Sequence, residues 1–285
     1  MISLVVPTRN RAHALAVTSA SYFAQAAISE IIFVDDASVD GTPDLLRRLA
    51  DEHPEMRTIL LRNDRRLGCP RSRTKGFAAA SNELVMFCDD DELMTADYAS
   101  TVARRLRDPT VGACSGRRVF KLPSESPEEA VARFGLGQPG RKLFDYRGCE
   151  GDWAAFADGD VDLPLLPSAF VTRSPLLERY GFDPRFGNGN AYREESDFQM
   201  SVFNADYRLV LTNDAHTVHL SRAECHTGGN RTSSLVGLFW RIALTWRFFD
   251  KHWDAYAPRV GQSLGSRRAG FRYARLQLRR RVRIS

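Results

Sequence analysis

Short apolar runs alternate with helix-like segments through the first 120 residues of the chain. The apolar runs are ISLVVP (2–7), EIIFVD (30–35), RTILLR (57–62), ELVMFC (83–88) and VGACSGRRVF (111–120). The helix-like segments between them are 12–26, 42–53, 70–80 and 96–107. Continuous apolar runs that alternate with helices are typical of a parallel sheet covered on both faces. The pattern therefore predicts an α/β fold in which a ligand binds at the carboxyl ends of the strands.

The regular alternation ends near residue 120. Residues 121–165 are rich in proline, glycine and charge, which predicts a long irregular segment. Beyond it the pattern indicates helices at 174–180 and 193–205, a strand at 207–212 and a long, mostly apolar helix at 235–253. We expect this long helix to pack on the body of the protein or on a second subunit, which would make a homodimer.

The composition is that of an ordinary globular protein: the 285 residues are 43% hydrophobic and 26% charged, with a net charge of +5. The five cysteines are scattered and include no CxxC pair, which predicts reduced thiols and argues against a disulfide framework or a zinc site. The chain shows no secretory signal and no run of about 18 apolar residues that could span a membrane. We therefore expect a cytoplasmic protein of one large domain or two fused lobes.

Four consecutive carboxylates follow the fourth apolar run: Asp89, Asp90, Asp91 and Glu92. At the end of a buried strand their mutual repulsion is unfavourable unless a cation is present. Hard oxygen ligands select Mg²⁺ or Mn²⁺, which are commonly held by one or two carboxylates together with substrate phosphates. A solvated acidic turn that caps the next helix is the alternative, but capping needs only one carboxylate. The run therefore predicts a divalent metal site.

Two other strand ends carry polar side chains. Thr8, Arg9 and Arg11 follow the first strand, and Asp35 and Asp36 follow the second. Hydroxyl, carboxylate and guanidinium groups suit a nucleobase, a ribose and a diphosphate. The absence of GxGxxG after the first strand argues against a dinucleotide-binding domain, and the absence of GxxxxGK[ST] argues against a P-loop enzyme.

The motifs PTRNR, VDDAS followed by DGT, LGCPRSRTKG and FCDDDE, in this order, resemble the nucleotide-binding half of the inverting GT-A glycosyltransferases of family 2. The resemblance covers residues 2 to about 120. It implies a Rossmann-like, mostly parallel central sheet with a smaller acceptor-side region and C-terminal helices. The corresponding parts are a nucleotide-sugar-binding half (1–120), an acceptor-binding and catalytic-base half (121–233), and a C-terminal helix with a basic tail (234–285).

The family's activity implies a hexosyl- or related transferase. Such an enzyme takes a sugar from a nucleotide-diphospho-sugar, passes it to an acceptor hydroxyl and uses Mn²⁺ or Mg²⁺. A UDP-sugar is the family's usual donor, and GDP- and dTDP-sugars are the alternatives.

The resemblance also implies roles for individual residues. Thr8 and Asp36 fall where the family holds the nucleobase. The residues implied in nucleotide binding are Thr8, Arg9, Arg11, Asp35, Asp36, Arg73, Asp89 and Asp90. The family's DxD motif falls on 89–91, with Asp91 as the direct metal ligand and Asp89 both facing the ribose and counted as a ligand.

The segment REESD at 193–197 resembles the family's second acidic motif, E-D-x-D, with glutamate where aspartate is commoner. The resemblance implies that Glu195, or Glu194 as the second choice, is the general base that deprotonates the acceptor hydroxyl. The alternative is a helix start enriched in glutamate because of the helix dipole.

Thr217, Val218 and His219 resemble the family's V-x-H site. The resemblance implies that His219 is a metal ligand or a diphosphate contact, and a purely structural histidine is the equal alternative. His226 and Arg231 are further expected diphosphate contacts, on a loop that closes over the donor.

The C-terminus is strongly basic: from Arg267 to Ser285 the chain has eight arginines and no acidic residue. A solvated or disordered basic end is the favoured interpretation. Peripheral contact with an anionic membrane is the alternative. Nucleic-acid binding is disfavoured because no RNA- or DNA-binding fold accompanies the tail.

Two other functions fit parts of the pattern. A nucleotidyltransferase acting on a sugar phosphate also places carboxylates and a metal on an α/β sheet, but it would normally show a glycine-rich loop that PTRNR lacks. A non-catalytic nucleotide-sugar-binding protein is the other alternative, and the intact DDDE and EESD runs argue against it.

Overall fold

The computed structural model describes residues 1–135, 137–155, 158–189, 191–225 and 235–282. The strands are β1 (Ile2–Thr8), β2 (Ile28–Asp35), β3 (Arg57–Arg62), β4 (Leu84–Phe87), β5 (Glu92–Met94), β6 (Val111–Phe120), β7 (Phe144–Asp145), β8 (Glu150–Gly151), β9 (Val161–Asp162), β10 (Phe170–Arg173) and β11 (Arg208–His219). The helices are α1 (Ala12–Phe23), α2 (Thr42–Glu52), α3 (Cys69–Ala78), α4 (Tyr98–Arg105), α5 (Pro127–Phe134), α6 (Ser174–Tyr180), α7 (Glu194–Asn204), α8 (Leu235–Arg259) and α9 (Ser266–Val282).

A large central sheet runs through the molecule in the order β3-β2-β1-β4-β10-β6-β11-β5, with β9 paired to β11. Strands β1 to β4 pair in parallel, and β6 and β11 also pair in parallel. Strand β10 lies antiparallel between β4 and β6. The predicted α/β class with a mostly parallel sheet is confirmed. The antiparallel insertion of β10 was not predicted, and through it both halves of the chain contribute to one sheet.

The sheet is covered on both faces, as the continuous apolar strands predict. Along β1, Leu4 and Val6 belong to the apolar cluster of one face, and Val5 belongs to that of the other. Helix α3 lies directly on the second face: a Cβ on Gly76 would come within 2.4 Å of the Val5 side chain. A glycine is therefore required for this close approach of α3 to the sheet.

Two segments differ from the expectation. The region predicted as irregular contains α5, which begins with a capping box: the Ser126 hydroxyl accepts from the Glu129 amide at 3.1 Å and Glu129 accepts from the Ser126 amide at 2.7 Å. The strand predicted at 207–212 continues to His219 because it pairs with the full length of β6. This extension brings His219 to the same end of the sheet as β5.

Residues 266–282 form α9, so the basic end is not disordered there, while its arginines at 267, 268, 275, 279 and 280 are exposed to solvent as the solvated alternative expects. Ala269 and Tyr273 are buried, and the Trp253 indole donates to the Leu264 carbonyl at 2.5 Å in the connecting loop. Gly270 lets the two helices touch, because a Cβ there would lie 3.0 Å from the Trp246 ring.

None of the described helices is both long enough and apolar enough to cross a membrane.

Candidate active site

A cleft of about 890 Å³ opens at the carboxyl ends of β1 and β4, between the two halves of the chain. The predicted residues that line it are Thr8, Arg9, Arg11, Asp36, Asp89, Asp90, Asp91, Glu194, Glu195 and His219. Asp35 and Arg73 are not among its lining residues. His226 and Arg231 lie outside the described residues. The structure therefore brings the strand-end motifs and the second acidic motif to one cleft.

Asp89 sits between two arginines at the end of β4. It accepts from Arg73 at 2.8 Å, from Arg118 at 3.1 Å and from the Ser168 hydroxyl at 2.7 Å. Burial alone would raise the pKa of Asp89, but the two guanidinium groups outweigh it and hold this pKa well below its ordinary value. Asp89 is therefore a carboxylate at any physiological pH.

Asp90 points back toward β1. It accepts from the Thr8 hydroxyl at 2.7 Å and lies 3.7 Å from the Arg11 side chain. Burial raises the pKa of Asp90 to about 7, and the neighbouring carboxylates of Asp91 and Asp89 add to this. Asp90 thus ties the acidic turn to the first strand.

Asp91 faces His219 at the end of β11. The two side chains approach within 3.6 Å between Asp91 Oδ1 and His219 Nε2. The other ring nitrogen of His219, Nδ1, lies 2.8 Å from the carbonyl oxygen of Leu220. A carbonyl oxygen only accepts, so Nδ1 carries the proton and the lone pair of the neutral ring is on Nε2, toward Asp91.

Glu92 completes the acidic cluster. Oxygens of Asp89, Asp91 and Glu92 lie within 4.8 Å of one another. One Glu92 oxygen binds Ser168 and Arg118, while Oε2 is buried without a hydrogen-bond partner among the described residues. Carboxylate oxygens with one imidazole nitrogen form a donor set that fits Mg²⁺ or Mn²⁺. Sequence reasoning gave Glu92 no separate role, although it stands in the acidic run.

Arg73 joins the two acidic motifs from behind the cleft. Its side chain is 0% exposed, and its guanidinium donates to Asp89 at 2.8 Å, Glu194 at 2.8 Å and Glu195 at 3.0 Å. The one fully buried cation partly offsets the repulsion among the three carboxylates around it. The described geometry places Arg73 among carboxylates of both halves.

The two glutamates differ in access to the cleft. The side chain of Glu195 is 22% exposed, whereas that of Glu194 is 5% exposed. Burial raises the pKa of Glu194 to about 8 and also raises the pKa of Glu195, although Arg73 opposes the shift in both. Both carboxyls therefore hold protons more strongly than an ordinary glutamate does.

The start of α7 is anchored by the residue before it. Arg193 has a left-handed backbone, with φ of 77°, and its guanidinium donates to the Cys149 carbonyl at 2.5 Å and to the Thr245 hydroxyl at 3.3 Å. These bonds link the helix start to α8 and to the loop before β8. They position the two glutamates that follow.

Asp36 and Asp35 have different surroundings at the end of β2. Asp36 lines the cleft and accepts from the backbone amides of Leu67 at 2.7 Å and Gly68 at 2.9 Å, which shapes the loop before α3. Asp35 instead accepts from Arg62 at 2.9 Å and from the Ser38 amide at 2.9 Å. Only Asp36 of the two lines the cleft.

The far side of the cleft has an aromatic lining that sequence reasoning missed. Trp153, Tyr192 and Trp240 lie there together with Arg241. Gly189, with φ of 65°, lies directly against the Trp240 ring, since a Cβ would come within 2.3 Å of it. Trp153, Tyr192 and Trp240 lie far apart in the sequence, so no local pattern indicates that they meet.

Comparison with known proteins agrees with this geometry. A sequence model described as glycosyl transferase family 2 matches residues 3–147. The uncharacterized glycosyltransferase YwdF of Bacillus subtilis (strain 168) is 30% identical over 182 residues, which cover 64% of this chain and 61% of YwdF. The chain spans 31% to 61% of the length of the curated relatives that it matches.

Solved structures share the fold. The mannosyltransferase PcManGT from Pyrobaculum calidifontis, in complex with GDP-Man and Mn²⁺, superposes with a TM-score of 0.60 at 22% identity, covering 88% of this chain and 63% of PcManGT. TarS 1–349 from S. aureus, in complex with UDP-GlcNAc, gives a TM-score of 0.60 at 15% identity, covering 87% of this chain and 66% of that one. The predicted GT-A fold is confirmed.

Proposed function

The chain belongs to glycosyl transferase family 2 and is a glycosyltransferase, and from this premise we propose that it is an inverting, metal-dependent enzyme. Its proposed donor is a nucleotide-diphospho-sugar, with a UDP-sugar as first choice, and its proposed acceptor group is a hydroxyl. Family membership decides against the nucleotidyltransferase alternative. The observation that carries the proposal is that one cleft is lined both by the acidic cluster of β4 and β5 and by the glutamates of α7.

The acidic cluster is the proposed leaving-group side. Asp89, Asp91 and His219 would hold Mn²⁺ or Mg²⁺, with Glu92 in the same cluster. When bound, the ion would supply Lewis-acid stabilisation of the negative charge on the departing nucleoside diphosphate. Arg11, which lies 3.4 Å from Asp91, adds a fixed positive charge at the same place.

Glu195 is the proposed general base. It is the more exposed of the two glutamates, so it can reach an acceptor hydroxyl, take its proton and leave the oxygen free to attack the anomeric carbon. The bond from that carbon to the diphosphate breaks on the opposite side, and the leaving group departs with the bonding electrons. Attack from the side opposite to the leaving group is a single in-line displacement, which inverts the anomeric configuration.

A thermal-shift panel tests the donor assignment. UDP, GDP and dTDP are each added with and without Mn²⁺. The preferred diphosphate at about 100 times its Kd should raise Tm by about 4–5 °C, and this rise should depend on the ion. GDP belongs in the panel because PcManGT was solved with GDP-Man. If none of the three diphosphates stabilises the protein, the proposed donor class is wrong.

Asp36→Asn is expected to weaken nucleotide binding. The amide cannot accept from both the Leu67 and the Gly68 amides in the same way, so the loop beside the cleft loses a charged hydrogen-bond acceptor. We expect the Kd of the preferred nucleoside diphosphate to rise about tenfold with little change in kcat. Titration calorimetry measures the affinity.

Asp35→Asn is the matched control for this substitution. Its carboxylate binds Arg62 and the Ser38 amide, and it does not line the cleft. It should leave the Kd within about twofold. Equal losses in both variants would show that general damage to the end of β2, rather than the cleft-facing carboxylate, weakens binding.

The rate of transfer is expected to rise with pH over a range that lies above the ordinary titration range of a glutamate. Burial raises the pKa of Glu195, and a general base works only as the carboxylate, so kcat is lost as pH falls through that raised pKa. An ordinary glutamate would be fully ionised above about pH 5–6. A kcat profile measured at saturating donor, metal and acceptor checks this. A flat profile from pH 5 to 8 would contradict a base with a raised pKa.

A further inference from the structure

The outer surfaces of α8 and α9 expose large apolar side chains next to arginines. Phe239 of α8 is 62% exposed, and Phe271 and Leu278 of α9 are 67% and 53% exposed. Single exposed apolar residues are common on protein surfaces, but adjacent ones mark an interaction site. We call this surface the α8–α9 face.

Helix α9 has a buried inner side and an outer side that is both apolar and basic. Its inner side, with Ala269 and Tyr273, is buried. Phe271 and Leu278 are seven residues apart, about two turns, and therefore share the outer side. The exposed arginines that flank them are Arg267, Arg268, Arg275 and Arg279. No acidic residue occurs in the helix, so its outer side combines apolar anchors with positive charge only.

The apolar part of this face continues onto α8. The Phe271 ring packs edge-on against Trp246, with 4.8 Å between ring centroids. Trp246, Phe239 and Ile242 line a shallow groove of about 770 Å³. The charged residues of that groove are Arg185, Arg247, Lys251 and Asp250. Arg185 and Lys251 are ion-paired with Asp183, so the positive charge of this face comes mainly from α9.

The same helix also borders the cleft. Trp240 and Arg241 of α8 line the catalytic cleft, while Phe239, their neighbour, lies on the exposed face. A surface bound to the α8–α9 face would therefore lie beside the acceptor side of the cleft.

We propose that the α8–α9 face binds an anionic membrane surface, with α9 lying in the plane of the interface. Phe271, Leu278 and Phe239 would enter the boundary of the acyl chains while the arginines contact the lipid phosphates. Nucleic acid is the poorer fit because phosphate contacts alone give no reason for exposed phenylalanine and leucine. A symmetric dimer is also the poorer fit because a two-fold contact would set the arginines of α9 against their own copies.

Vesicle co-sedimentation of the full chain tests the proposal without any transfer assay. Vesicles of phosphatidylcholine alone are compared with vesicles that also contain phosphatidylglycerol. We expect binding only to the second kind, with a loss of affinity at high salt. No binding to phosphatidylglycerol vesicles would overturn the proposal.

The arginines are tested by a charge-matched pair of triple variants. Replacing Arg267, Arg275 and Arg279 by glutamine should weaken binding about 100-fold, since each basic residue near an anionic surface contributes about fivefold. Replacing the exposed Arg47, Arg48 and Arg104 on α2 and α4 removes the same charge and should change binding by less than about threefold. Equal losses of vesicle affinity in both triple variants would show that only the net charge of the protein matters. That result would overturn the assignment of membrane binding to the α8–α9 face.

The apolar anchors need their own test. Phe271→Ser with Leu278→Ser should weaken vesicle binding at least about tenfold, while Val39→Ser with Leu122→Ser, at exposed positions elsewhere, should not. Unchanged thermal unfolding shows that α9 stays folded. Full binding by the first double variant would overturn insertion into the membrane. A dimer in solution that the same two substitutions abolish would assign the face to a second copy instead.

Discussion

Asp91→Asn is expected to lower the rate of sugar transfer by about 10²–10³ and to remove the dependence of nucleotide affinity on Mn²⁺. Asp91 belongs to the carboxylate cluster, and its Oδ1 lies 3.6 Å from Nε2 of His219. The substitution keeps the size of the side chain but removes its charge, so a loss would come from the missing ligand rather than from packing. Steady-state kinetics and nucleotide titrations with and without Mn²⁺ measure the two effects.

Asp90→Asn is the control within the same turn. Its side chain accepts from Thr8 rather than joining the cluster, and an amide oxygen can still accept that bond. We expect a smaller loss of rate and an unchanged response to Mn²⁺. Normal metal-dependent turnover by Asp91→Asn would show that the metal assignment is wrong. A reversed result, with Asp90→Asn as the inactive variant, would move the ligand by one position.

Glu195→Gln is expected to lower kcat by roughly 10²–10⁴, the range for loss of a general base, with donor and metal binding largely intact. The reason is positional: the acidic cluster is the proposed leaving-group side, so we expect the base from the second half of the chain, where Glu195 lines the same cleft. Glutamine keeps an oxygen that can accept from Arg73 at the place of Glu195 Oε1. A loss of kcat would therefore come from the missing proton transfer rather than from a disrupted site.

Glu194→Gln decides between the two candidates for the base. Glu194 is the more buried, and burial raises its pKa to about 8, so much of it is protonated at neutral pH. We expect Glu194→Gln to retain much of kcat and to keep the acid limb of the pH profile. An inactive Glu194→Gln beside a fully active Glu195→Gln would show that the register is off by one. Full activity in both variants would show that neither glutamate is the general base.

Most of the first half of the fold could be predicted because its signals are local. Strands β3 and β6 have the predicted bounds, although β3 is an edge strand whose residues are exposed or half-buried. Helix α5 was not predicted, because it is short and partly exposed and lies in a region rich in proline and glycine. The position of β10 between β4 and β6 was not predicted, because strand pairing over long sequence distances produces no periodic pattern in the sequence.

The candidate site divides in the same way. Asp89, Asp91 and Glu195 stand in contiguous motifs. The first two follow a predicted strand and the third stands at the start of a predicted helix, so the sequence indicates that they line one cleft. Arg73 is different: its motif indicated a nucleotide contact, yet the side chain is fully buried among carboxylates of both halves. The position of Trp240 in the cleft was not predicted, because this residue belongs to a long helix whose apolar pattern indicates only packing.

The insertion of β10 has a consequence for the order in which the chain can fold. Phe170 pairs with Phe87 and Ser115, so the middle of the sheet closes only after more than half of the chain has been synthesised. Until then β4 and β6 expose open strand edges, which are templates for aggregation. Such non-local pairing gives a high contact order and slow folding. A fragment ending near residue 120 would keep those edges permanently open, so we expect the first 120 residues to depend on later ones for their solubility as well as for the proposed catalytic base.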